Sequence, residues 1–336
     1  MNEQSNLIYS ISIFCAFLLS LILISFIKKI YYYVKYKKRF FILPRVSIKG
    51  IANISMVIAI SIAIIILLTI ATADLFNVVF RAWPGTRVTI EGLLIKIGGL
   101  LFGPFLGLFI GAMTDLLTVA LTAGVFHYGY LIAAMAYGLI SGFISDIFRS
   151  TKDKIWWKAV LGTLILIACN IIMVLFFMLQ TNSFQNNFSV SLFGNKLDVN
   201  VKILLIVLVT FICLGILIIW IVYFLNFNKQ HHKHNSMITE TKATKKNDLY
   251  SSIIIVLVVS VVCNSIINML ILPSFDAQLS SIRYEEWVVL RSIVFIPEVI
   301  FNCCVIIPIY NIVVPIINYN YHDDLLEDIK YPLYVE

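Results

Sequence analysis

Long apolar runs, without alternation of apolar and polar positions, dominate the chain. Leu7–Ile27 and Ile51–Ala73 each exceed the roughly 20 residues a helix needs to cross a hydrocarbon core about 30 Å thick. Further runs follow at Ile90–Leu101, Pro104–Thr122, Tyr128–Phe148, Trp157–Gln180, Ile203–Leu225, Ser251–Leu272 and Trp287–Ile317. Ile90–Leu101 is short and weakly separated from its successor. A backbone in lipid must satisfy its own hydrogen bonds, so runs of this length and texture predict helices, not barrel strands. The pattern predicts an all-α, polytopic membrane protein.

Composition agrees: 60% of the 336 residues are hydrophobic and 13% are charged, which excludes an ordinary soluble domain. The first run has no basic stretch before it and no small-residue cleavage site after it, so it is expected to be a retained anchor. Cys15, Cys169, Cys213, Cys263, Cys303 and Cys304 all fall inside predicted spans. They read as small buried hydrophobes, not as a disulfide framework or a metal site.

The net charge of +7 is unevenly spread. Segment 28–50 holds eight Lys/Arg, 149–158 holds four and 226–248 holds five, whereas loops 74–89, 123–127, 181–202 and 273–286 hold five between them. The positive-inside rule then places the amino terminus outside and the carboxyl terminus in the cytoplasm. The basic segments suit anionic lipid head groups better than nucleic acid.

Texture divides the chain into an anchor with a basic segment (1–50), a Gly/Ala-rich part with short connections (51–149), a hairpin and polar loop (150–250), a last pair of helices (251–318) and an acidic tail (319–336). No internal repeat supports an inverted-repeat transporter. HHKH at 231–234 lacks partnering ligands and reads as part of a solvated loop.

Charged residues inside spans are expensive and normally face a cavity or a partner. Here they include Glu91, Lys96, Asp115, Arg291 and Glu298. At about 1.5 Å per residue, Arg291 and Glu91 are shallow, Lys96 is deeper, and Asp115 and Glu298 lie near mid-membrane. Glu298 and Asn302 are four apart, as are Asn264 and Asn268 on the preceding helix. Such groups either tie helices together or face a ligand, and for Asp115 and Glu298 both readings stand. For the two asparagines the tie is favoured, and for Arg291 contact with a ligand.

The stretch DLFNVVFRAWPGTR at 74–87 is too polar for lipid. Trp83-Pro84-Gly85 reads as a rigid turn carrying an aromatic plate, flanked by Arg81 and Arg87, able to close over a flat anionic ligand. It reads equally as an interfacial tryptophan. His127 and Tyr128 in the next short loop are similarly open.

Gly103, Gly107, Gly111 and Asp115 recur every four residues and predict a helix face with close backbone approach, its carboxylate directed at a cavity or at Lys96. Ser55, Ala59 and Ala63 form a second small-residue stripe, facing either a sibling helix or a separate subunit. No Walker loop, HExxH, GxSxG or Cys/His cluster is present, so no catalytic residue, cofactor or metal is expected.

RVTIEGLLIKIGGLLFGPFLGLFIGAMTDLL at 87–117 and GVFHYGYLIAAMAYGLISG at 124–142 resemble the substrate-binding S-components of energy-coupling factor vitamin importers. CNSIINMLIL at 263–272 and WVVLRSIVFIPEVI at 287–300 resemble the last two helices of the folate-type branch, including its Arg near the start of the sixth helix. The likeness covers 51–149 and 251–317, roughly half the chain. It implies a six-helix core, a vitamin held near the outer surface and, at Ala59 and Ala63, an interface with a transmembrane coupling subunit. Two cytosolic ATPases would power toppling of the S-component. The anchor and the 157–225 hairpin depart from the compact core, adding about three helices, and nothing in the pattern accounts for Lys96.

The expected site is Arg81, Trp83, Arg87, Glu91, Lys96, Asp115, His127 and Arg291, holding folate or a related flat anionic vitamin. A proton-coupled carrier working through Asp115 or Glu298, and a non-catalytic scaffold, are the other readings.

Overall fold

In the computed structural model of the chain, residues 48–71, 86–122, 126–150, 155–179, 187–192, 195–233, 240–280 and 282–317 are described, with Leu23, Phe26, Ile30 and Val34 as isolated positions. Most of the predicted first span and basic segment, the loop with Arg81 and Trp83, His234 and the acidic tail lie outside the described residues.

The described chain is almost wholly helical: α1 (Ile48–Ala71), α2 (Thr86–Phe102), α3 (Pro104–Thr122), α4 (Tyr128–Ser150), α5 (Ile155–Leu179), α6 (Val201–Lys233), α7 (Glu240–Cys263), a π-helical segment (Asn264–Ile271), α8 (Leu272–Leu279) and α9 (Tyr284–Ile317). Among the described residues, seven stretches are long and apolar enough to span a membrane: Gly50–Leu67, Pro104–Leu121, Tyr128–Phe148, Ile155–Met178, Val201–Phe227, Leu249–Leu279 and Tyr284–Val313. The protein is an all-α, polytopic membrane protein.

The short run at 90–101 becomes α2, and Gly103 separates it from α3. Gly103 adopts φ 86°, a left-handed conformation that favours glycine. Its N–H donates to Gly99 O at 2.9 Å, and Pro104, whose missing N–H costs nothing at a first helical position, opens α3. Gly103 therefore forms the break between helices, and the glycine face of α3 continues as Gly107 and Gly111.

That face packs directly against neighbouring backbone. A Cβ on Gly107 would collide with Gly138 O, and one on Gly138 with Gly107 O. Gly111 lies against Ala134 O, and Gly99 of α2 against Gly138 O and Ser141 Oγ. Backbone meets backbone where α2, α3 and α4 converge, and Ser145 Oγ adds a 2.8 Å bond to Leu100 O.

Around this trio, α1 packs on α3 and α2, α5 pairs with α6 and α7, and α9 runs along α7, the π segment, α8, α6 and α2. The connection between α5 and α6 contains an antiparallel hairpin, β1 (Asn187–Leu192) with β2 (Asn195–Asn200). Its register sets Phe188 opposite Val199 and Val190 opposite Leu197, apolar positions alternating with polar ones at the period of a strand.

A second difference shapes the site. The sequence suggests that the helix after Ser251 stops at Leu272, but it continues to Leu279 through the π segment. Pro273 has no N–H to donate and would disturb an α-helix. Here Leu272 N–H reaches five residues back to Ile267 O, and α geometry resumes around Pro273.

Candidate functional site

The extended helix brings Asp276 into the bundle, where it is fully buried. Arg291 of α9 donates from Nε to Asp276 Oδ2 at 2.6 Å, and its Nη2 lies 2.6 Å from the same oxygen. Tyr130 Oη of α4 donates to Asp276 Oδ1 at 2.7 Å. Arg291 Nη1 also donates to Asn268 Oδ1, and Asn268 Nδ2 donates to Glu298 Oε2. An arginine only donates and a carboxylate only accepts, so the Asn268 amide orientation is fixed by its neighbours.

A second arm completes the network. Lys96 Nζ donates to Asn264 Oδ1 at 2.9 Å and stands 4.7 Å from the centroid of the Tyr137 ring. Gly92, one turn from Lys96, has no Cβ because the Tyr137 ring occupies that space. Lys96, Tyr137, Asn264, Asp276 and Asn302 are at most 1% exposed, Arg291 is 3% and Glu298 is 8%. Both asparagines of this network stand on the π segment, whose wider winding is often found at functional positions.

Beside Asp276 lies an aromatic cluster. His127 stacks near Tyr128, Tyr130 and Phe275, with ring centroids 4.5, 5.4 and 5.7 Å away. Phe275 rests on Gly129, and Tyr128 Oη donates to Gln278 Oε1 at 3.0 Å. His127 Nδ1 accepts from Gly129 N–H at 3.2 Å, so this nitrogen carries no proton. Burial pushes the imidazole below its ordinary pKa, against smaller opposing effects of Gln278 and the Asp276 charge.

Of the residues expected to form the site, Lys96, His127 and Arg291 belong to this connected region. Glu91 and Asp115 are fully buried on α2 and α3. The hydrogen bond of Lys96 goes to Asn264, not to Asp115. Arg87 stands in the first turn of α2, while Arg81 and Trp83 lie outside the described residues. Arg291, expected to contact a ligand, is enclosed and bonded to Asp276 and Asn268.

Asp276, Tyr130 and Tyr137 were not singled out by the sequence. Asp276 follows Pro273 and resembles a loop residue, and the two tyrosines look like ordinary members of an apolar helix. Their spacing of seven, which stacks both on one face of α4, was the available signal. Ala59 and Ala63, with Ser55, are exposed on the face of α1 turned away from the bundle, beside Met56, Ile60 and Ile64.

A multi-pass helical bundle with an enclosed polar network, and with helices packed through bare backbone, defines the class as a polytopic helical membrane protein. The chain belongs to the family described as ECF transporter, substrate-specific component, whose sequence model matches residues 49–226. That match runs through the 157–225 hairpin and ends before the last helices. The chain is also similar to a Mycoplasma pneumoniae protein called "Uncharacterized protein MG098 homolog", 28% identical over 346 residues that cover 94% of this chain and 70% of the relative. No solved structure matches the chain significantly.

Proposed function

We propose that this membrane substrate-binding subunit captures a flat, anionic vitamin of the folate type at the outer face of a bacterial cell membrane. It passes the vitamin inward with a transmembrane coupling subunit and two cytosolic ATPases. The observation that carries the reading is the enclosed polar network of Lys96, Asn264, Asn268, Asp276, Arg291 and Glu298 in a chain of this family. The outward exposure of Ala59 and Ala63 supports a separate subunit over a sibling helix as their partner. The charge pattern supports an outer amino terminus and a cytoplasmic carboxyl terminus.

Binding by the purified protein in detergent, without ATP or partners, tests this against folates, riboflavin, thiamine and other vitamins. Saturable binding of a folate is expected, weakened at least tenfold by Arg87→Ala. A folded protein that binds none of them refutes vitamin capture.

A second reading, a proton-coupled carrier, draws on Glu298. Its Oε1 has no hydrogen-bond partner among the described residues, although it lies deep in the longest apolar helix. Uptake that persists without any ATPase and collapses with the proton gradient would favour this reading.

A further inference from the structure

Two helices run past their membrane-spanning stretches on the same side of the bundle. The apolar span of α6 ends at Phe227 and the helix continues to Lys233. The next helix, α7, begins at Glu240, before its span opens at Leu249. At about 1.5 Å per residue, these ends project roughly 9 and 13 Å beyond the apolar layer.

The projecting ends are basic. Lys229 and Lys233 are one turn apart on α6, and Lys242 and Lys246 are one turn apart on α7, with Lys245 beside them. Glu240 and Asp248 are the acidic residues of the same two ends, so positive charge is in surplus. At the start of α7 that surplus is poorly placed, because the amino-terminal end of a helix favours anions.

The last helix delivers the opposite charge to this side. From the turn between α6 and α7 the chain crosses to α8 and returns through α9, so Ile317 shares a side of the bundle with that turn. Along the way α9 packs on both α7 and α6. Residues 318–336 follow, outside the described residues, and their sequence carries Asp323, Asp324, Glu327, Asp328 and Glu336 against Lys330. Asp323 and Glu327 are four apart, as are Asp324 and Asp328, the spacing of the lysine pairs on α6 and α7. About six extended residues reach about 20 Å, whereas packed helices stand about 8–10 Å apart. The acidic run is therefore within reach of both basic ends. An anionic leaflet repels such a run, while its tether holds it near the lysines at a millimolar effective concentration. Single exposed ion pairs are worth little, so the contact depends on several at once.

We propose that the acidic segment 323–328 docks on the basic ends of α6 and α7, at Lys229, Lys233, Lys242, Lys245 and Lys246. It forms a strap that ties α9 to the two helices beside it. The strap stands whether or not the chain captures a vitamin.

The test uses the full chain in lipid nanodiscs rich in anionic phosphatidylglycerol, so that head groups compete for the lysines. A carbodiimide joins a lysine amine to a touching carboxylate with loss of water, and peptide mass spectrometry reads which residues are joined. Links from 323–328 to the five lysines are expected at about 0.05 M salt, falling about fivefold near 1 M, where the Debye length is about 3 Å. A variant carrying Asp323→Asn, Asp324→Asn, Glu327→Gln and Asp328→Asn has no carboxylates to join, so it is read by acetylation. Its Lys242, Lys245 and Lys246 should react about threefold faster than those of the original chain.

Links to the lysines of 28–38 instead, or no links from 323–328 at all, overturn the proposal, as does equal acetylation of the two chains. Nanodiscs assembled from mixed nitrogen-15-labelled and unlabelled chains separate a strap from docking between copies. Links confined to one isotope support the strap, and links joining the two isotopes overturn it. Cross-linking of the original chain needs no variant, so a misfolded mutant cannot obscure it.

Discussion

Arg291 and Asp276 show what a buried pair demands. Removing one partner leaves the other charged and enclosed, which typically costs about 3–5 kcal/mol. Arg291→Ala should accordingly lower the thermal unfolding midpoint in detergent sharply, and Arg291→Ala with Asp276→Ala should recover part of that loss. A double variant less stable than either single one would contradict the pairing. His127 makes a prediction about pH. Its pKa in the folded protein is depressed by burial, so the unfolded state binds the proton more readily. The imidazole's contribution to stability is then full above the unfolded value of about 6.5 and is lost as pH falls through the folded value. Melting between pH 7.5 and 5 should show this loss, and His127→Gln should flatten it. At this scale the sequence was informative where charge stands out against an apolar run, as at Lys96, Arg291 and Glu298. It was silent where a residue matches its surroundings, as at Tyr130 and Tyr137.

Between helices, the strongest constraint is the contact of α3 with α4 at Gly107 and Gly138. The atoms that a new side chain would meet there are backbone, which cannot move aside as a flexible side chain can. Gly138→Val should therefore destabilise the protein by about 3 kcal/mol, the upper end of the overpacking range. The same change at Gly215, where a Cβ would meet only side-chain atoms at 3.6 and 3.8 Å, should cost much less. Comparing the two melting curves checks this. The glycine stripe was legible because repeated small residues at helical spacing have few other uses in lipid. The break at Gly103 was partly legible from Pro104. The extension to Leu279 was not, because the π winding that accommodates Pro273 is a property of tertiary packing and leaves no periodic trace.

For the molecule as a whole, the proposal that the outward face of α1 meets a coupling subunit separates binding from transport. Ser55, Ala59 and Ala63 are exposed, whereas the residues of the polar network are buried. Ala59→Trp should leave vitamin affinity within twofold of the original while abolishing co-purification with the coupling subunit. Equal loss of both would show that the stripe supports the bundle itself. The membrane class was legible from composition and run length alone. The enclosure of the polar residues was not, since it depends on which helices meet. That enclosure has an optical consequence. Trp287 is 1% exposed, one turn before Arg291, and donates its indole N–H to Ser280 Oγ at 2.7 Å. Trp156 and Trp157 are exposed and Trp220 is half-buried. A chain retaining Trp287 as its single tryptophan should fluoresce in the blue and change its emission as the neighbouring network fills, giving a label-free titration signal from the site's own wall.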